Sequence, residues 1–507
     1  MFSRVVSAVI SGVEARLIRV EADVSPGLPS FSVIGDVNTQ VKEAQDRVRT
    51  ALKNSGTALP PRRVTVNLAP ADIRKEGTAF DLPMAAAILQ ACGILPEREG
   101  EARLVVGELG LNGDVGGVPG ILSMVYQARK EGIRHCIVPR QNLKEARLVE
   151  GMRITGVGSL QEFLNLEESG EQEEVTAKER KEETAGEDFS QLLGQEYLKR
   201  AALLSAAGFH NLLLLGPPGT GKTMTARRLP SILPEMTLEE SLEVTRIYSI
   251  AGLLAPEDPL MKKRPFRAPH HSLSPQALAG GGRIPRPGEI TLAHRGVLFL
   301  DELPEMSRRN LELLRQPLEE RKILIARQGG SFCFPAEFLL VAAMNPCPCG
   351  YYPDMSRCTC TDGQVQRYQG KLSQPLLDRI DLCAEAPPVT YLDLVREEKG
   401  GLDSRKMREQ VEEVRRVQAE RYKEEGILFN SQLPAEKIKN FCPASKGARK
   451  LMEQAYEEMG LSVRACHRIW KVARTAADLD GSGEIGEKHL GEAVSFRSLD
   501  KKYWRGI

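Results

Sequence analysis

The apolar residues Leu212–Leu215 run straight into Gly216-Pro217-Pro218-Gly219-Thr220-Gly221-Lys222-Thr223, and that junction restricts the fold more than any other stretch. A short, wholly apolar run reads as a strand buried on both faces, which requires helices above and below a parallel sheet. Gly216, Gly219 and Gly221 let the backbone curl with no Cβ in the way, so that N–H groups aim at one point. A helix beginning at Lys222 directs its positive end to the same point. Strand, glycine-rich turn and helix in this order form a cradle for a polyphosphate. Lys222 would reach the β- and γ-phosphates, and the Thr223 hydroxyl would ligate Mg²⁺. The pattern predicts an α/β fold that binds a nucleoside triphosphate, with ATP and Mg²⁺ as cofactors.

A second apolar run, Val297–Leu300, ends in Asp301-Glu302. Carboxylates at the end of such a strand lie where an open α/β sheet presents its ligand edge. Asp301 would hold the Mg²⁺, and Glu302 would polarise the water that attacks the γ-phosphate. Between Thr223 and Asp301 lie 77 residues, more than a minimal strand–helix–strand unit needs. The excess includes Met261–His271 and Gly280–Pro287, rich in Arg, Lys, His and Gly. Ile323–Phe334, with Gly329-Gly330 at its turn, reads as a β-hairpin. Arg283, Arg286 and Arg327 are candidates for gripping a DNA phosphate backbone, which asks for mobile cations rather than base-reading geometry. Solvated loop charge is the alternative for each of them. His270 and His271 are further candidates for nucleic-acid contact, and no acid or third His at ligand spacing makes them a metal site.

At 507 residues the chain is long enough for about three domains. Residues 167–188 hold ten acids and three bases with almost nothing apolar, the composition of a solvated linker or an exposed helix. Before them, residues 1–166 alternate strand-like stretches (Val5–Val20, Arg63–Leu68, Leu104–Val106) with helical ones (Gln40–Ser55, Leu82–Ala91, Ile121–Glu131). Residues 189–388 repeat the alternation around the triphosphate loop, and 389–507 are mainly helical and charged. A net charge of +1 excludes a strongly basic coat, so any polyanion site is a local patch. No run approaches the ~18 apolar residues of a membrane span. Val5–Val13 resembles a signal peptide, but Glu14, Arg16, Arg19 and Glu21 follow at once, and a cytoplasmic protein without membrane contact is expected.

Of ten cysteines, four fall in Cys347-x-Cys349-x8-Cys358-x-Cys360. Thiols at this spacing, in a loop bent by Pro348, Gly350 and Pro353, are suited to a tetrahedral structural Zn²⁺ site, with unliganded thiols as the alternative. Asp478-Leu-Asp480-Gly-Ser482-Gly483 opens like a calcium loop but carries His489 where a bidentate Glu is needed, so it reads as a helix stop.

Strand, phosphate loop and Asp-Glu, together with Asn345 and Leu376-Leu-Asp-Arg-Ile-Asp381, resemble an AAA+ ATPase. Arg264-Pro-Phe-Arg-Ala-Pro-His-His271, Gly280-Gly-Gly-Arg-Ile-Pro-Arg-Pro-Gly-Glu289 and Asn345-Pro-Cys-Pro-Cys-Gly350 resemble more closely the Mg-chelatase-like ATPases of the ComM (YifB) type. The resemblance covers nearly the whole chain. It implies that Asn345 orients the attacking water (sensor 1), that Arg379 is an arginine finger acting on a neighbour's ATP, and that Arg464 is sensor 2. The alternative for Arg464 is one charge of a basic helix face with Arg468, Lys471 and Arg474. Gln195 would lie near the adenine. The residues between Thr223 and Asp301 become an insertion facing the pore of a ring, in all likeness to the family a homo-hexamer working on single-stranded or branched DNA during natural transformation. A chelatase-like ATPase that remodels a protein partner is the competing reading.

Lys75-Glu-Gly-Thr-Ala79-Phe-Asp-Leu-Pro-Met84 and Gly107-Glu-Leu-Gly-Leu-Asn-Gly-Asp-Val115 resemble the fold shared by Lon-type protease domains and ribosomal S5 domain-2-like proteins. On that register the nucleophile position falls on Ala79 and the lysine position near Leu122. The expected architecture is therefore a non-proteolytic Lon-like α/β domain, an AAA+ core with a parallel sheet, and a helical C-terminal lid.

Overall fold

The computed structural model describes residues 1–57, 59–96, 102–169, 187–282, 285–327, 330–388, 402–497 and 503–504. At its centre is a five-stranded parallel sheet whose order across the sheet is Phe266–Arg267, Val297–Leu300, Leu339–Met344, Leu212–Leu215 and Leu382–Glu385. The three middle strands are buried along their whole length, and each feeds two cores by alternation. Leu212, Leu214, Phe299 and Val341 pack on one face, and Leu213, Leu215, Leu300 and Ala342 on the other. The period-2 pleat explains why these strands read as continuous apolar runs. The register pairs Leu215 with Met344 and Leu300 with Ala342, so the residues following all three strands emerge on one edge.

A seven-stranded mixed sheet builds the N-terminal domain, in the order Ser30–Ile34, Arg63–Ala69, Glu14–Ser25, Phe2–Ser11, Arg103–Val105, His135–Pro139 and Arg153–Val157. The stretch expected as strand-like from Val5 to Val20 is two antiparallel strands, because the chain reverses at Gly12 with φ +70°. Helices Thr39–Asn54 and Asp81–Ala91 cover one face of this sheet, and Ile121–Lys130 lies on the other. The helix Leu160–Ser169 runs past the expected domain end at 166. Residues 170–186, most of the expected linker, lie outside the described residues.

The C-terminal helices share a core with the five-stranded sheet. Met407, Val411 and Val414 of the helix Ser404–Arg421 and Ala473, Ala476 and Ala477 of the helix Val463–Leu479 belong to the same apolar cluster as Leu212 and Leu214. Asp478, the first acid of the false calcium loop, is buried between Arg421 and Arg474 and also accepts from Asn430 Nδ2 at 2.9 Å.

The N-terminal domain docks on the helix Leu238–Ala251, which follows the phosphate-loop helix Lys222–Ile232. Gly120 N donates to Ser249 Oγ at 2.9 Å, and Ser249 Oγ in turn donates to Glu145. Glu145 also accepts from Leu122 N at 2.9 Å and Asn142 Nδ2 at 3.2 Å. Arg246 reaches the Val13 carbonyl at 3.2 Å and covers the Tyr126 ring. Gly120, at φ +82°, has no room for a side chain, since a Cβ would lie 2.7 Å from Ile10 Cδ1.

Burial raises the Glu145 carboxyl above its ordinary value of 4.5, outweighing its three hydrogen bonds. A raised folded-state value contributes stability that is complete below the unfolded pKa and fades as pH climbs through the folded one. Glu145→Gln keeps an acceptor for Leu122 N–H and removes the charge. Its melting temperature relative to the parent is therefore expected to rise as pH climbs above the ordinary carboxyl value. A gap that stays constant or shrinks in scanning calorimetry would contradict a buried, desolvated Glu145.

Candidate active site

Gly216, Asp301 and Asn345 each follow a central strand, so the common edge of the sheet collects all three. The loop from Gly216 to Thr223 curls over a cavity of about 330 Å³ lined also by Asp301, Glu302 and Asn345. Gly219 and Gly221 take φ of +78° and +87°, a region that only glycine enters without strain. A Cβ on Gly216 would meet the Ala386 carbonyl at 2.7 Å. Thr220 Oγ1 closes the turn on the Pro217 carbonyl at 2.9 Å.

Lys222 Nζ donates to the carbonyls of Gly216 and Pro217, both at 2.7 Å, and to Asn345 Oδ1 at 3.2 Å. Burial pushes its ammonium down to about 8, with Asp301 opposing the shift. Thr223 Oγ1 lies 3.0 Å from Asp301 Oδ2. A hydroxyl and a carboxylate side by side are the oxygen donors that Mg²⁺ selects, and the amide-lined turn beside them fits a polyphosphate. The donor set thus fits both groups.

Glu302 stands in the left-handed region at φ +50°, with its N–H on Asp301 Oδ1 at 2.9 Å. Its Oε2 is 3.1 Å from His271 Nδ1. His271 is thereby placed against the candidate base, a partnership that no spacing in the sequence signals. Gln195 is buried and donates to the Pro387 carbonyl at 2.8 Å, while its Oε1 has no hydrogen-bond partner. It is absent from the lining of the triphosphate cavity.

Arg379 and Arg464 lie elsewhere. Both flank Glu319, with Arg379 paired to it directly and to the Pro375 carbonyl. Arg379 is buried and its Nε is unsatisfied. Arg464 is exposed and lines a cavity of about 260 Å³ with Arg468, Lys471 and Arg321. Expected as a sensor of the triphosphate, Arg464 is not brought to the phosphate loop of its own chain, because the helix that carries it, Val463–Leu479, is held at the opposite ends of the strands. Asp381 fastens it there: burial opposes the Asp381 charge, but Arg468 and His210 hold the carboxyl well below the ordinary range.

Arg286 and Arg327 sit on two short hairpins that face each other, Gly280–Gly281 with Arg286–Pro287 and Lys322–Arg327 with Gly330–Pro335. They line a cavity of about 770 Å³ whose other wall is the N-terminal domain, including Arg16 and Arg74. The sequence reading missed those two arginines, which lie far from the insertion along the chain. Arg327 Nε donates to the Gly282 carbonyl at 3.2 Å, joining the hairpins. Arg283 lies outside the described residues.

The sulfurs of Cys347, Cys349, Cys358 and Cys360 all lie within 4.8 Å of one another. In the N-terminal domain, Ala79 and Leu122 pack in one apolar cluster, and the neighbouring Ser123 hydroxyl is spent on the Val13 carbonyl at 3.1 Å. Neither position offers a nucleophile or a base. Among the described residues, no helix is long and apolar enough to cross a membrane.

Family models agree with this geometry. Residues 188–394 match magnesium chelatase, subunit ChlI, residues 20–142 match subunit ChlI of Mg-chelatase, and residues 401–497 match the ChlI C-terminal region. Competence protein ComM of Haemophilus influenzae is 44% identical over 498 residues, 96% of each chain. The chain belongs to the ComM-type, magnesium-chelatase-like AAA+ family. The YifB protein of Escherichia coli is 43% identical over 493 residues, 97% of this chain and 96% of its own. The magnesium-chelatase 38 kDa subunit of Acidiphilium rubrum is more distant, at 26% over 326 residues and 60% of this chain. As a member of the ComM-type family the protein is an AAA+ ATPase, and that family's use of ATP and Mg²⁺ accords with the donors at the sheet edge.

Lys222→Ala is expected to abolish binding of a fluorescent ATP analogue. Glu302→Gln should bind the analogue normally and lose about 10²–10⁴-fold in turnover, the usual worth of a general base. Loss of binding in Glu302→Gln would remove Glu302 from that role.

Proposed function

We propose that this ATPase is a ring-forming motor, most simply a homo-hexamer, that moves single-stranded or branched DNA as a helicase or branch-migration factor in the cytoplasm. The observation that carries the DNA reading is the cavity where Arg286 and Arg327 face Arg16, beside Asp72 and the ion pair of Arg74 with Glu76. Exposed guanidiniums around a groove suit a phosphate backbone, which is gripped by charge rather than read by sequence. The name of the Haemophilus relative, a competence protein, accords with a role on DNA.

In the ATPase step, the loop amides and Lys222 bind the phosphates, and Lys222 exchanges its carbonyl partners for phosphate oxygens. Thr223 and Asp301 would hold a Mg²⁺, which would supply positive charge to the phosphates. Glu302 accepts the proton of the attacking water, and Asn345 orients that water. Gln195 Oε1 is an acceptor suited to the adenine amino group. The position of Arg379 and Arg464, away from their own phosphate loop, supports action on a neighbour's ATP. Arg379 must then leave Glu319, and a positive charge on the γ-phosphate is what the transition state needs. The 26% likeness to a magnesium-chelatase subunit favours the second reading, a remodeller of a protein partner.

Forked and single-stranded DNA are expected to raise ATP turnover, and the protein to displace a strand. Changing Arg286 and Arg327 together to alanine should weaken DNA binding uniformly across sequences and flatten its salt dependence by about one to two in log–log slope. ATP turnover indifferent to DNA, with a stable protein partner in its place, would select the remodelling reading.

A further inference from the structure

The loop after the strand Leu339–Met344 carries the four clustered thiols, and the ATPase reading gives them no task. We propose that Cys347, Cys349, Cys358 and Cys360 bind one structural Zn²⁺, and that this site positions the phosphate-binding loop for hydrolysis.

The donor set is sulfur alone, the choice of Zn²⁺ over harder cations. A Zn–S bond of about 2.3 Å in a tetrahedron puts sulfurs ~3.8 Å apart. Here Cys347 lies 3.3 Å from Cys349 and 3.8 Å from Cys358, and Cys349 lies 3.5 Å from Cys358. These separations are far beyond a disulfide bond of about 2.0 Å, and all four thiols are free. Tyr352 N is 3.4 Å from Cys347 Sγ. Amide donors aimed at sulfur are what a thiolate needs to keep its charge inside a protein. Four protein ligands leave no open position for water, so the site is structural rather than catalytic.

Two contacts connect this cluster to the ATP site. Asn345, which touches Lys222, stands two residues before Cys347, and the intervening Pro346 carbonyl accepts from buried Gln369 Nε2 at 2.8 Å. Gly350, between the two halves of the cluster, is at φ +88° with its backbone against Pro218. A Cβ there would come within 2.8 Å of Pro218 Cδ. The loop therefore presses on the outer lobe of the phosphate loop while fixing Asn345 at its inner side. Gln369 belongs to the helix Asp362–Gln369, which begins two residues after Cys360. Both ends of the loop are thus anchored, and its middle is gathered by the thiols beside Tyr352, which packs on the apolar core.

The full chain, purified under reducing conditions, is expected to carry about one zinc per chain by elemental analysis, and to give a tetrahedral thiolate spectrum when Co²⁺ replaces it. The double change Cys358→Ser and Cys360→Ser should abolish both signals. Stripping zinc from the unaltered chain should lower ATP turnover at least about tenfold and raise KM, with both restored by added Zn²⁺. Gly350→Ala keeps all four ligands and sets a methyl against Pro218, so it is expected to retain zinc yet lose turnover. Iron in place of zinc, paired disulfides, or a metal-free chain would overturn the site. Zinc that is present but removable without change in turnover would overturn the positioning role. None of these outcomes depends on whether the load is DNA.

Discussion

A desolvated ammonium governs this active site. Lys222 is buried at the start of its helix, and its Nζ is met by two carbonyls of its own loop and by Asn345 from the neighbouring strand. That arrangement joins two strands of the sheet through one charge, and it keeps the loop curled around the space where phosphates would lie. The cost of burying the charge shows in the lowered pKa, and phosphate oxygens are better partners for it than carbonyl dipoles. The loop is therefore prepared for an anion, and each surrounding element either holds the lysine in place or contributes a group within its reach.

The register of the central sheet makes this possible. Because Leu215 pairs with Met344 and Leu300 with Ala342, the positions that follow these strands converge with no long loop to order. Asp301 and Thr223 meet at 3.0 Å as a result. By contrast, Arg379 and Arg464 are directed away by the strand polarity: they lie near Asn211, where the strand Leu212–Leu215 begins. Arg379 is buried there against Glu319, while Arg464 is exposed.

What was legible in the sequence follows the range of the interactions. Leu212–Leu215 and Val297–Leu300 were readable to the residue because an apolar run of four that ends in a glycine turn or in two acids is too short for a buried helix and suits a doubly covered strand. Gly216 to Thr223 was readable because backbone chemistry there depends on local order alone. The turn at Gly12 was missed, since a hairpin with Glu14 and Arg16 on its exposed positions keeps the alternation of a single strand. The His271–Glu302 contact and the docking of Glu145 on Ser249 join residues 31 and 104 positions apart. Their patterns have no period, so only the folded chain displays them. Arg464 shows the limit of carrying a role over by position: it lies on a helix, as the basic-face reading had it, but nothing in the motif told how far that helix stands from the phosphate loop of its own chain.

The docking of the N-terminal domain has a mechanical consequence. The acidic stretch before residue 188 suggests a bead joined loosely to a machine, yet the seven-stranded sheet is fastened to the helix Leu238–Ala251 through Gly120, Ser123 and Glu145. That helix follows directly on the one that starts at Lys222. Side-chain bonds, and not the covalent connection alone, therefore tie a domain of more than 150 residues to the element that follows the phosphate-loop helix.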